Sequence, residues 1–185
     1  MAAWDMSEIW KIARISHKFH ACCHGLHAML EALAGITGEI DTVTVATHPR
    51  WLTVCHNPAP RTGLECKFSY AMTAAMCLSG VDTARIANFS DTMANDPALI
   101  ALRDRVTVQD DDRLTEMQAR VTARFSDGTT QEAFHDLNVP LPLAQRAERL
   151  TQKARAVVGR ALADDLWAAV QSGDIGDLTA FLGRD

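Results

Sequence analysis

The stretch MQARVTARFSDGTTQEAF, residues 117–134, has an apolar alternation through Val121, Ala123 and Phe125, then Asp127-Gly128, then a second run from Thr129 to Phe134. Period-two alternation on both sides of an Asp-Gly pair predicts a β-hairpin, because that pair accepts the positive φ of a tight turn. Working outward, Val106 to Val108 reads as a short strand. Ile40 to His56 is rich in β-branched residues and interrupted at Pro49, predicting two strands or one bent strand. Asp110 to Asp112 reads as a solvated turn, since the rest of a calcium-loop spacing is missing.

Both ends of the chain read as helix. In Trp4 to Ile36, Ile9, Ile12 and Ile15, then Leu26, Met29, Leu30 and Leu33, recur at helical spacing, predicting two helices broken near His17. The loop Asn57 to Gly63 opens into an expected helix from Leu64 to Leu78, stopped at Gly80, followed by a short helix over Asp82 to Phe89. Asp96 as N-cap and Pro97 at the first helical position start another helix running to about Arg105. After Pro140 and Pro142 come Leu143 to Val158, Ala161 to Val170 and Ile175 to Leu182, with Leu162, Leu166, Trp167 and Val170 forming one apolar stripe. Helical ends around a mixed centre make the fold class α+β.

Among 185 residues, 18 Lys+Arg against 23 Asp+Glu leave a net charge of −5, which supplies no basic stripe for nucleic acid or an anionic membrane. No apolar run approaches the roughly 18 residues of a membrane span, and the segment after Met1 is broken by charges, so a soluble cytoplasmic protein is expected. Cys22, Cys23, Cys55, Cys66 and Cys77 are odd in number and lack CxxC pairing, which favours reduced thiols over a disulfide framework or structural zinc. Nucleotide-binding glycine loops, the G-x-S-x-G elbow and HExxH are absent.

The densest reactive cluster is SHKFHACCHGLH, residues 16–27. On a helix starting near His20, His20, His24 and His27 would share a face beside Cys23. That face could bind zinc, or simply carry three partly exposed imidazoles; no acidic ligand is nearby in sequence. Cys22 or Cys23 could act as a nucleophile with one of these histidines as base, or both could be inert buried thiols. A further reading makes Lys18 the charge of an anion site at a helix start. Lys67 follows the same logic, so two lysines could converge on a multiply charged acid, against the plainer reading of solvated surface lysines.

Two motifs together resemble the MmgE/PrpD family, which contains 2-methylcitrate dehydratase, cis-aconitate decarboxylase and iminodisuccinate epimerase. They are Lys18-Phe19-His20-Ala21-Cys22 with His27 following, and Pro60-x-Thr62-Gly63-Leu64-Glu65-x-Lys67-Phe68-Ser69 followed by Thr73 to Met76. Asp96 to Val106 and the Asp127-Gly128 hairpin continue the match in order. The resemblance covers only the family's C-terminal part. It implies a helical segment over 1–36 leading into a mixed α/β lid domain over 37–140, and C-terminal helices over 141–185 that return to an all-helical domain.

By the same resemblance, the activity is proton abstraction next to a carboxylate of a small di- or tricarboxylate, with no redox cofactor and no metal. The partners it implies are an N-terminal helical domain, in a separate chain or a longer parent chain, and a second copy in a homodimer. Lys18, Cys22 and His27 take the catalytic positions, and Lys67, Ser69 and His20 the substrate-binding ones. Met72 stands where members have a polar aromatic residue or His. Without the N-terminal domain the chain is expected to be inactive; the alternative is a non-catalytic anion-binding or protein-interaction remnant of the fold.

Overall fold

The computed structural model describes residues 15–173 and 175–182. Ile9 and Ile12 of the expected first helix lie outside these residues. From Ile15 to Phe19 the chain is irregular, and a single 3-10 turn, His24–Leu26, leads into α1, His27–Leu33.

Four strands form one mixed sheet in the order β2-β1-β3-β4: β1 is Ile40–Thr47, β2 Val106–Asp110, β3 Gln118–Phe125 and β4 Thr130–Asp136. The hairpin β3–β4 turns at Asp127-Gly128, where Gly128 takes φ +84° and the Asp127 carboxylate accepts the Thr129 amide at 2.9 Å. β1 runs antiparallel to β3 and parallel to β2. Residue alternation puts Val43, Val45 and Thr47 opposite Ala123, Val121 and Ala119 on one buried face, while Arg120 and Arg124 point away from it.

That buried face is covered by α1, which packs on β3 and β4, and by α4, Tyr70–Leu78, which packs on α1, β2 and α6 (Pro97–Arg103). Leu26, Met29, Leu30, Leu33, Met72 and Met76 meet the strand residues in one core. The sequence placed α6 correctly: the Asp96 carboxylate caps it by accepting the amides of Ala98 and Leu99.

Three expectations need correction. Beyond β1 the chain does not continue as strand; His48 caps a one-turn helix α2, Pro49–Leu52, because Pro49 supplies the fixed φ of a first helical residue. The helix expected over Leu64 to Leu78 is two helices, α3 (Gly63–Cys66) and α4, since the Ser69 hydroxyl accepts the Met72 amide at 3.2 Å and restarts the helix. The short helix expected over Asp82 to Phe89 shrinks to a 3-10 turn, Ile86–Asn88, and α5, Asp91–Ala94, follows it.

The C-terminal helices form where the periodicity put them: α7 Leu143–Val158, α8 Arg160–Ser172 and α9 Ile175–Leu182. Gly159, at φ +87°, turns α7 into α8. α7 buries none of its residues. No helix among the described residues is long and apolar enough to cross a membrane.

Candidate functional site

The loop before α3 is built almost entirely by its own motif. Thr62 and Glu65 form a reciprocal capping box, and Glu65 also accepts the Arg61 amide at 2.7 Å. Gly63 donates its amide to Asp91 at 2.8 Å, and a Cβ there would lie 2.1 Å from the Phe89 carbonyl oxygen, so only glycine lets the two segments meet. With Thr62, Gly63, Glu65 and Ser69 committed to backbone geometry, Lys67 is the motif's cation left facing outward, its ammonium 5.7 Å from the Phe89 ring centroid.

The Lys18 segment is fixed against this loop. The Cys23 amide donates to the Lys67 carbonyl at 3.0 Å, and the Ala21 amide to the Thr83 carbonyl at 2.7 Å. Below it, the Tyr70 hydroxyl donates to the Gly25 carbonyl at 2.6 Å and so must accept from the Thr47 hydroxyl at 2.9 Å. Gly25 is required here because a Cβ would fall 2.5 Å from the Trp51 ring.

Between these segments and α7 lies an open cleft of about 520 Å³, within the roughly 300–1,000 Å³ of small-molecule sites. Lys18, His20, Cys22, Lys67 and Lys153 line it, together with His24, and no carboxylate does. Among the described residues neither Lys18 nor Lys67 forms an ion pair. Ammonium groups gathered without a counter-charge in the lining make the local potential positive, which attracts anions.

The histidines meet, although no helix runs through His20. The His27 ring lies 5.0 Å from that of His20 and 5.1 Å from that of His24. His27 is buried, its Nε2 has no hydrogen-bond partner, and burial followed by the neighbouring His20, His24 and Lys18 pushes its pKa down to about 3. The imidazole is therefore neutral. His24, half-buried, is lowered in the same way by burial and then by Lys18. These rings pack on one another, and among the described residues no three His, Cys, Asp or Glu side chains gather in a metal-holding arrangement.

His20 is held from both sides, Nδ1 at 2.7 Å from the Thr83 hydroxyl and Nε2 at 3.1 Å from Glu31. Burial alone would raise the Glu31 carboxyl; hydrogen bonds from His20 and Arg149 and the Arg149 charge outweigh it and hold the group at about 2. Cys22 is pushed up to about 12, chiefly by burial against the opposing charge of Lys18, so its thiol is protonated and a poor nucleophile.

Of the positions the resemblance implied, the cleft brings together Lys18, Cys22, His20 and Lys67. His27 lies beneath it as packing for His20 and His24. Ser69 is fully buried at the α4 cap, outside the lining. Sequence reasoning passed over Lys153, which reaches the cleft from α7 with no local signal, and over Leu64, Phe68 and Ile86, which form apolar walls.

No curated protein matches the chain. The family model for the MmgE/PrpD C-terminal domain matches residues 18–170, running from the first lysine of the cleft to the end of the apolar stripe on α8. The chain therefore belongs to the MmgE/PrpD family, through that family's C-terminal domain.

Proposed function

We propose that the Lys18–Lys67 cleft binds a small di- or tricarboxylate, and that the chain is the lid portion of an MmgE/PrpD-type lyase or isomerase. The observation that carries this reading is the convergence of two lysines without ion-pair partners on a cleft that no carboxylate lines. The chemistry is removal of a proton next to a substrate carboxylate. Lys18 and Lys67 hold the carboxylates and stabilise the enolate-like charge that develops. His24, neutral because burial and Lys18 disfavour its cation, is the group in the lining suited to take a proton. Cys22 contributes a protonated wall and His27 fixes the imidazoles above it. The remaining acid and base groups come from an N-terminal helical domain, supplied by a partner chain or a longer parent chain. Five thiols without disulfides suit a cytoplasmic setting.

The test is calorimetric titration of the chain with cis-aconitate, beside Lys18→Ala and Lys67→Ala, followed by an activity assay after adding the N-terminal domain. Binding that both substitutions abolish, with turnover only in the reconstituted enzyme, is expected. Binding indifferent to both lysines overturns the site. Lysine-dependent binding with no turnover after reconstitution would instead make the chain a non-catalytic anion-binding member of the family.

A further inference from the structure

We propose that Lys153 of α7 is a third cation of this cleft and that it selects acids with three carboxylates over acids with two. The inference rests on the carboxylate reading of the Lys18–Lys67 cleft and adds a specificity residue to it.

Lys153 lines the same cleft as Lys18 and Lys67 although it comes from a separate part of the fold. Its ammonium donates to the Ala84 carbonyl at 2.7 Å, which uses one of three N–H donors and leaves two for a ligand. The helix that carries it is clamped in register. One turn earlier, Arg149 pairs with Glu31 and places its guanidinium carbon 3.9 Å from the Phe19 ring centroid, next to Lys18 in the chain. One turn later, Val157 completes the cleft wall. Arg149, Lys153 and Val157 follow one another at i, i+4 and i+8, so a single face of α7 is laid along the opening.

Arg149 is already neutralised by Glu31, whereas Lys153 forms no ion pair among the described residues. Burial makes its cation less favourable than that of an ordinary lysine; Cys22 and Asp82 act in the opposite sense, and the charges of Lys18 and Lys67 add smaller contributions in the same direction as burial. A ligand carboxylate bound to all three would relieve that repulsion. Two lysines satisfy a dicarboxylate; a third, on the opposite wall, has a partner only when the acid brings a third carboxylate.

The test uses the chain and two variants, Lys153→Gln, whose amide can still donate to the Ala84 carbonyl, and Lys153→Ala. Each is titrated with tricarballylate and with succinate in a chloride buffer, and melting is followed in parallel. The expected result for Lys153→Gln is a loss of tenfold or more in tricarballylate affinity, a change of less than twofold for succinate, and unchanged melting. Equal losses for both acids, or no loss for either, overturn the role of Lys153. If only Lys153→Ala affects binding, and its melting falls as well, Lys153 is a tether for α7 and the proposal fails. Tricarballylate binding that survives Lys18→Gln and Lys67→Gln, or no binding of either acid to the chain, would bring down the carboxylate reading itself and this inference with it.

Discussion

Arg149 of α7 holds the carboxylate of Glu31 of α1 with both terminal guanidinium nitrogens, Nη1 donating to Oε2 at 3.0 Å and Nη2 to Oε1. The Glu31 side chain is only 12% exposed, so without Arg149 its remaining side-chain partner is His20. Arg149→Ala is expected to destabilise the fold by about 1.5–3 kcal/mol, the range for hydrogen bonds to charged groups. Urea unfolding of Arg149→Ala, Glu31→Ala and the double variant measures the coupling; strictly additive losses would show that the pair contributes nothing of its own.

Acid should loosen the fold in two stages. The folded pKa of His27, about 3 against 6.5 for a free imidazole, means the unfolded chain takes up a proton that the folded chain refuses. Stability therefore falls as pH drops below about 6.5 and continues falling toward 3. Glu31, at about 2 in the fold against 4.5, adds a second loss as pH falls from 4.5 toward 2. Melting curves of His27→Gln should be flatter than those of the parent between pH 6.5 and 4.5. Parallel curves there would refute the assignment to His27.

Two glycine-to-alanine substitutions should have opposite signs. At Gly63 the new methyl meets the Phe89 backbone, which cannot yield without moving α5, so a loss of about 1–3 kcal/mol is expected. At Gly35, where nothing lies within 4 Å and φ is ordinary, a gain of about 0.4–1 kcal/mol is expected from the less flexible unfolded chain. Denaturant midpoints of the two variants decide it, and the same sign in both would contradict the packing described at Gly63.

Thiol labelling should separate the cysteines. Cys22, Cys55 and Cys66 are buried, and burial raises all three pKa values, Cys22 to about 12 and Cys66 to about 11. Iodoacetamide at pH 8 should leave them unmodified in the folded protein and label all three in denaturant, as read by peptide mass spectrometry. Rapid native labelling of Cys22 would reveal a thiolate and restore a nucleophilic role for it.

What was legible in the sequence was whatever its neighbours alone determine. Asp127-Gly128 turns the hairpin by its own backbone preference, Asp96-Pro97 starts α6 by its own hydrogen bonds, and α7 to α9 follow their apolar period. At Pro49 the β-branched composition predicted strand, but the His48 cap and the fixed φ of Pro49 start a helix there instead. At Ser69, a continuous run of helix formers hid a second N-cap.

The site was legible to the extent that motif residues lie in it. Lys18 and Lys67 do, and the motif neighbours of Lys67 prove to be the scaffold that aims it. The gathering of His20, His24 and His27 was anticipated for another reason, since a bend and a 3-10 turn bring the rings together instead of one helix. Lys153 could not be found this way, because its place depends on the Arg149–Glu31 pair and the Lys153–Ala84 hydrogen bond, contacts between distant parts of the chain.

α7 buries none of its residues, whereas the opposite wall of the cleft rests on the sheet core through Tyr70 and Leu26. The two walls therefore differ in how they are held, and an occupant touching both would act as a cross-link between the sheet core and a helix fastened to it by a few polar contacts. Occupancy would then be recorded first as slower amide hydrogen exchange along α7, while the strands, already protected, would change little.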